Sequence, residues 1–163
     1  PEEDITVKSG ATLFDLYLKS VGRGGNMLLN VPPNRKGLIS PADSIALMQF
    51  KNIRDNAFAE NVFKNAKVFR TKNSIEVHLS KEVTLNSIVV KEDISKGQRV
   101  VNFEVSGGNN LEYFKAITKG TTIGHKRIVS FPKQQLKYIR IKVTESKALP
   151  IISAVEGYNI SGL

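Results

Sequence analysis

The chain has 163 residues, 40% apolar and 24% charged, which is material for one ordinary domain, or one small domain plus a piece of another, and too hydrophobic for a disordered segment. It has no cysteine, which excludes disulfides, thiolate zinc sites and a cysteine nucleophile, and its only histidines, His78 and His125, are too few for a histidine-rich metal site. The net charge is +9, and no apolar run approaches the roughly 20 residues that span a bilayer.

The chain opens PEEDITVKSG, without an initiator Met or a signal segment, and reads as cut from something longer. In "GATLFDLYLKSVG" the apolar positions Leu13, Phe14, Tyr17, Leu18 and Val21 follow helical spacing, and Gly22 is a natural stop. "GRGGN" (22–26) lacks the Lys-Ser/Thr of a phosphate-binding loop and precedes a strand, so it reads as a tight entry turn. "NMLLNV" (26–31) is a short continuous apolar run, the pattern of a strand covered on both faces. The prolines of "PPNRKG" end it. Ser40 then suits an N-cap, Pro41 the first helical position and Asp43 the first turn. The helix they start runs to about Asp55, with Ile45, Met48 and Phe50 among its apolar positions. Helix, buried strand, helix is the grammar of an α/β fold. One strand and two helices cannot cover both strand faces, and a lone buried strand leaves its backbone groups unpaired. Residues 1–58 therefore read as the end of a larger α/β domain.

Beyond residue 58 both charge and period change. Residues 1–58 balance to +1 and residues 59–163 to +8. Ile75, Val77 and Leu79 alternate, as do Val101, Phe103 and Val105, and Ile139, Ile141 and Val143. Period two marks half-buried strands. Turn signals fall at "SKG" (95–97), "SGGNN" (106–110) and "TKGTT" (118–122). Short strands with regular turns predict an antiparallel sandwich over residues 59–163, so the chain as a whole is mainly β. Its lysines and arginines are scattered, without the interleaved aromatics of a nucleic-acid platform, so no nucleic-acid partner is expected. Trp is absent, and Tyr113, Phe114 and Tyr138 are assigned to strand packing.

Catalytic constellations are missing. Glycoside hydrolysis needs two facing carboxylates. Of the acids before residue 58, Glu2, Glu3 and Asp4 lie near the start, Asp43 reads as a helix N-terminal charge, and Asp15 and Asp55 read as solvated helix positions. No G-x-S-x-G elbow is present. Glu92 and Asp93 in "KEDISKG" offer oxygen ligands for calcium, but a polar turn accounts for them better.

The stretch "SVGRGGNMLLNVPPNRKGLISPAD" (20–43) closely resembles the end of the catalytic barrel in α-L-fucosidases of glycoside hydrolase family 29. "VVKEDISKGQRVVNFEV", "KGTTIGHKRIVSF" and "RIKVTESKALPIIS" resemble the sandwich that follows that barrel, which is related to galactose-binding-like, coagulation-factor type C modules. The resemblance implies the end of a (β/α)₈ barrel (1–58) joined to a jelly-roll sandwich (59–163). It implies retaining hydrolysis of terminal α-L-fucose by an Asp nucleophile and a separate acid/base carboxylate, both on earlier barrel strands, with no cofactor and no catalytic residue here. Asn26–Val31 would be the eighth strand. Active sites lie at the C-terminal ends of barrel strands, so Asn30, Pro32, Asn34 and Arg35 would border the sugar pocket, and the Ser40 helix would close the barrel wall. Implied partners are the upstream barrel and fucosylated glycans, and the implied location is periplasmic or secreted. The sandwich is expected mainly to buttress the barrel, the alternative being a carbohydrate-binding module that targets the enzyme to glycans.

Overall fold

The computed structural model describes residues 6–162. Two helices come first, α1 (Gly10–Lys19) and α2 (Pro41–Ala57). Six strands follow: β1 (Lys67–Arg70), β2 (Ser74–Glu92), β3 (Val100–Gly108), β4 (Lys115–Thr121), β5 (Arg127–Ser146) and β6 (Ile152–Tyr158). Every strand pairing is antiparallel, and the fold is mainly β.

β2 and β5 are each about twice as long as their neighbours, and together they build the sheet. The first half of β2 lies between β1 and β5, with Val77 opposite both Val68 and Ile139. Its second half lies between β6 and β5, with Val89 opposite Glu156 and Ile128. β3 pairs the last half of β5, and β4 pairs β3. The register between β2 and β5 slips between His78 and Val83 and again between Leu85 and Ser87. Such bulges bend a strand and increase its twist, and one core joins residues from both sides of the bend. It takes Ile75, Val77 and Leu79 before the slips, Leu85, Ile88 and Val90 after them, and Phe103, Val105, Val129, Phe131, Ile139 and Ile141 from the partners. The result is an antiparallel sandwich whose two layers share β2 and β5.

The alternating triplets Ile75/Val77/Leu79 and Ile139/Ile141/Val143 are buried, as are Phe103 and Val105. Their alternation predicts these faces correctly. The turn expected at 118–122 is instead the end of β4, and only Thr122 (φ 44°) leaves the strand. The polar run keeps its strand conformation because Asn102, Phe103, Glu104 and Val105 of β3 hold it through register partners Thr121 to Thr118. Likewise β3 continues through Gly108, into the "SGGNN" turn signal.

α1 and α2 follow the sequence closely. The Ser9 side chain accepts from the Thr12 amide at 3.2 Å, and the Ser40 hydroxyl accepts from the Asp43 amide while donating to the Asp43 carboxylate. α2 runs two residues past Asp55. α1 stops at Lys19, short of Gly22, with Ser20 as its C-cap. Both helices lie on the outer face of the β2–β5–β6 layer. There Phe14 joins Val89, Ile128, Tyr158 and Ile160 in a second core, covered by Tyr17, Phe50, Ile53 and Phe58. Val89 points to the helices while Ile88 and Val90 point to the sandwich core, so residues Leu85 to Val90 are buried without alternation.

Candidate functional site

The strand expected at Asn26–Val31 is not one. Residues 25–34 have no regular structure, and no ladder pairs them among the described residues. The physical reason is the one the sequence raises: a single strand needs neighbours, and both edges here are empty. Leu28, in the middle of the apolar run, is 96% exposed. Leu38 and Ile39 are exposed as well, and Ile45 and Met48 add apolar surface on α2.

This strap closes with a built turn. Asn34 accepts through its side-chain oxygen from the amides of Lys36 (2.9 Å) and Leu38 (3.1 Å), and its own amide bonds the Leu38 carbonyl at 2.8 Å. Gly37 takes φ +74° at the tip, which a side chain would resist. The strap, α1 and the start of α2 enclose an open groove of about 980 Å³. Asn30, Pro32, Asn34 and Arg35 all line it, and all four are exposed. The structure thus places the four sequence-predicted residues around one groove, with Asn34 committed to the turn.

No catalytic carboxylate pair faces that groove among the described residues; Glu2, Glu3 and Asp4 lie outside them. Asp43 lines it but is held by the Ser40 cap. Asp15 is paired with Lys19 at 2.7 Å. Asp55 is paired with Lys51 and Arg54, each at 2.7 Å, which together hold its carboxyl below the usual range.

Glu92 proves to be a strut. It is 2% exposed, and its two oxygens accept from the amides of Arg99, Val100 and Gly124. Asp93 accepts from the Ser95 amide in the adjoining turn. Among the described residues no cluster of His, Cys, Asp and Glu is arranged to hold a metal ion.

The aromatic residues assigned to strand packing are placed differently. Tyr113 is 70% exposed in the loop before β4. Tyr138 is half-buried on the outer face of the sheet, edge-on to His78 at 5.0 Å, with Phe69 on the other side of that imidazole at 4.5 Å. Arg140 lies over Phe114 at 4.0 Å and donates to Glu76, which also meets His78. These contacts, His78 first and Arg140 after it, hold the Glu76 carboxyl below its ordinary value. Outward positions of a half-exposed sheet carry aromatics as readily as inward ones, so alternation alone does not tell which face is core.

The chain is 33% identical, over 90% of its length, to a candidate α-L-fucosidase 1 of Oryza sativa subsp. japonica. It superposes, over 98% of its length, with TM-score 0.90 and 32% identity, on a glycoside hydrolase 29 family member from an unknown rumen bacterium. A fucosidase of the same family from Ruminococcus gnavus, solved in complex with fucose, matches 95% of the chain with TM-score 0.85 and 26% identity.

The chain matches the C-terminal part of glycoside hydrolase family 29 enzymes. It corresponds to the C-terminal region of the family 29 fucosidases, spanning 34% of the rice protein, 30% of the rumen enzyme and 37% of the Ruminococcus one. No protein-family model matches it. The relatives carry about twice as much chain again outside the region this chain matches. Among the described residues no helix is long and apolar enough to cross a membrane.

Proposed function

We propose that the chain works as the C-terminal part of a retaining α-L-fucosidase that removes terminal α-L-fucose from glycans. In this reading residues 1–58 complete the catalytic barrel, with Asn26–Val31 as its last strand, and residues 59–163 form a sandwich that buttresses it. The nucleophile and acid/base carboxylates stand on the upstream part. Asn30, Pro32, Asn34 and Arg35 form one wall of the fucose pocket and perform no bond chemistry. The enzyme acts in the periplasm or outside the cell, without a cofactor and without nucleic acid.

The observation that carries this reading is the bare apolar strap. Burying a leucine side chain is worth about 1.5–3 kcal/mol, and Leu28, Leu38 and Ile39, exposed on a segment without a strand partner, call for a covering surface. The test uses the parent enzyme and this chain side by side on an aryl α-L-fucoside. The parent turns over and the chain alone does not. Asn30→Ala in the parent lowers kcat/KM while a covalent glycosyl-enzyme intermediate still forms. Turnover by the purified chain, or unchanged kinetics of Asn30→Ala on several fucosides, contradicts the proposal.

A second reading has its own observation. The outward Phe69 and Tyr138, on either side of His78, with Arg140 and Glu76 close by and Tyr113 exposed in the loop before β4, are the residue types that stack on and hydrogen-bond to sugar rings, so the sandwich itself would hold the enzyme on glycans. Saturable, salt-resistant binding of a neutral fucosylated glycan, lost in Tyr138→Ala, favours this role over buttressing.

A further inference from the structure

The seam between the strap and the sandwich holds two arginines without an acid. Residues 22–24 run beside the start of β5: the Gly22 carbonyl accepts from the Ile128 amide at 2.7 Å, and Arg23 forms an isolated antiparallel bridge with Arg127. Bridge partners carry their side chains on the same face of a sheet, and like charges placed directly opposite are destabilising. Burial sharpens the conflict. Nε of Arg127 is shut off from solvent and has no hydrogen-bond partner, although buried polar groups are nearly always paired and buried charges are paired with opposite ones. Desolvation, and Arg23 after it, push the Arg127 guanidinium below its ordinary value. Among the described residues neither arginine has an ion-pair partner. The nearby Lys126 is turned away, to the Tyr17 hydroxyl at 2.8 Å.

We propose that Arg23 and Arg127 receive a carboxylate from the upstream part of the parent enzyme, an ion pair that fixes the sandwich and the last barrel segment against the rest of the catalytic domain. This rests on the reading of the chain as the C-terminal part of a family 29 enzyme. Three observations single out that occupant. The positive charge is doubled and unneutralised. The strap that carries Arg23 continues directly into the bare apolar run. The relatives carry roughly two thirds of their length outside the region this chain matches. Two guanidinium forks side by side suit a carboxylate, which accepts from both.

The test is made on the full-length parent. Arg127→Lys keeps the charge and places an amine at the pair, where a water-soluble carbodiimide joins it to any carboxylate in contact. Arg23→Lys, at an exposed position, does the same should Arg127→Lys fail to fold. The expected result is a cross-linked peptide, localised to residue 127 or 23, whose other half comes from outside this chain. Arg127→Met in the same parent lowers the unfolding midpoint, since removing one partner of a buried pair strands the other. A cross-link only to acids of this chain, no cross-link from either position, protection of the pair by added inorganic phosphate, or an unfolding midpoint unchanged or raised in Arg127→Met overturns the proposal. Hydrolysis of an aryl α-L-fucoside by the wild-type parent is read alongside. An inactive parent that still cross-links refutes the fucosidase reading and supports the pair. An active parent without the cross-link does the reverse.

Discussion

Glu92 allows a sharp test of how the sandwich is held at one end. Its carboxylate, 2% exposed, takes the Arg99 amide at 2.8 Å, the Val100 amide at 3.1 Å and the Gly124 amide at 3.2 Å. It thereby ties the turn after β2 to the start of β3 and to the turn before β5. Glu92→Gln preserves volume but keeps one acceptor oxygen, so an amide donor faces the Gly124 N–H or the other pair. A buried donor left unsatisfied costs about 1–3 kcal/mol, and Gln should lose that amount. Glu92→Ala strands all three amides, and with some water entering the gap the loss is about 3–6 kcal/mol. A domain of this size is stable by about 5–15 kcal/mol in total, so Ala approaches collapse. With a urea slope of about 2 kcal/mol per molar, Gln moves the unfolding midpoint down by about 0.5–1.5 M. Glu104→Gln, exposed on β3, is the control and stays within about 0.5 kcal/mol of wild type. If Glu92→Gln unfolds with the control, or Ala is no worse than Gln, the three-amide strut is not what holds these turns.

Three further outcomes are expected. Gly120 faces Phe103, and a Cβ there would come within 2.6 Å of a ring that is 1% exposed; Gly120→Val overpacks the core by about 1–3 kcal/mol, and a thermal midpoint equal to wild type would mean the ring moves freely. Leu28→Ser leaves the stability of this chain within about 0.5 kcal/mol, because the side chain is 96% exposed, but lowers that of the parent enzyme; equal effects in both would leave the strap uncovered in the parent. Glu76 has its carboxyl lowered from 4.5 by His78 and then Arg140, so its stabilisation is complete above that value and fades as pH falls through the lower folded one; urea midpoints measured from pH 6 downward should drop more steeply for wild type than for Glu76→Gln below pH 4.5, and parallel curves contradict the pairing.

The sequence is legible where one physical demand dominates. Ser40, Pro41 and Asp43 name a helix start because the first amides of a helix need an acceptor, and the structure uses them so. Ile75/Val77/Leu79 name a strand because only one of its faces meets the core. The second half of β2, "LNSIVV", has no such alternation, since the helices bury its other face; a strand sandwiched twice is indistinguishable from any apolar run. Asn26–Val31 is the opposite case. Its composition predicts a buried strand, whereas no strand pairs with it among the described residues and Leu28 lies bare. The four groove residues were found through the family resemblance together with the strap's position, whereas Arg23 and Arg127 carry no local signal. They lie about a hundred residues apart, and only the bridge brings them together.

Strands β2 and β5 each pass through both layers, so the layers have backbone in common. Neither can be peeled away by breaking a row of hydrogen bonds, because the next row continues on the same strand. Amide hydrogens near Val77 and near Val89 should therefore exchange through one shared opening instead of two. The arrangement also has a kinetic side. Ser74 must find Lys142 across most of the sandwich sequence, and pairings of such long range slow folding. Mechanically, a pull on the strap enters β5 at the Arg23 bridge, at its first residue. From there it travels along one continuous covalent path into both halves of the sandwich.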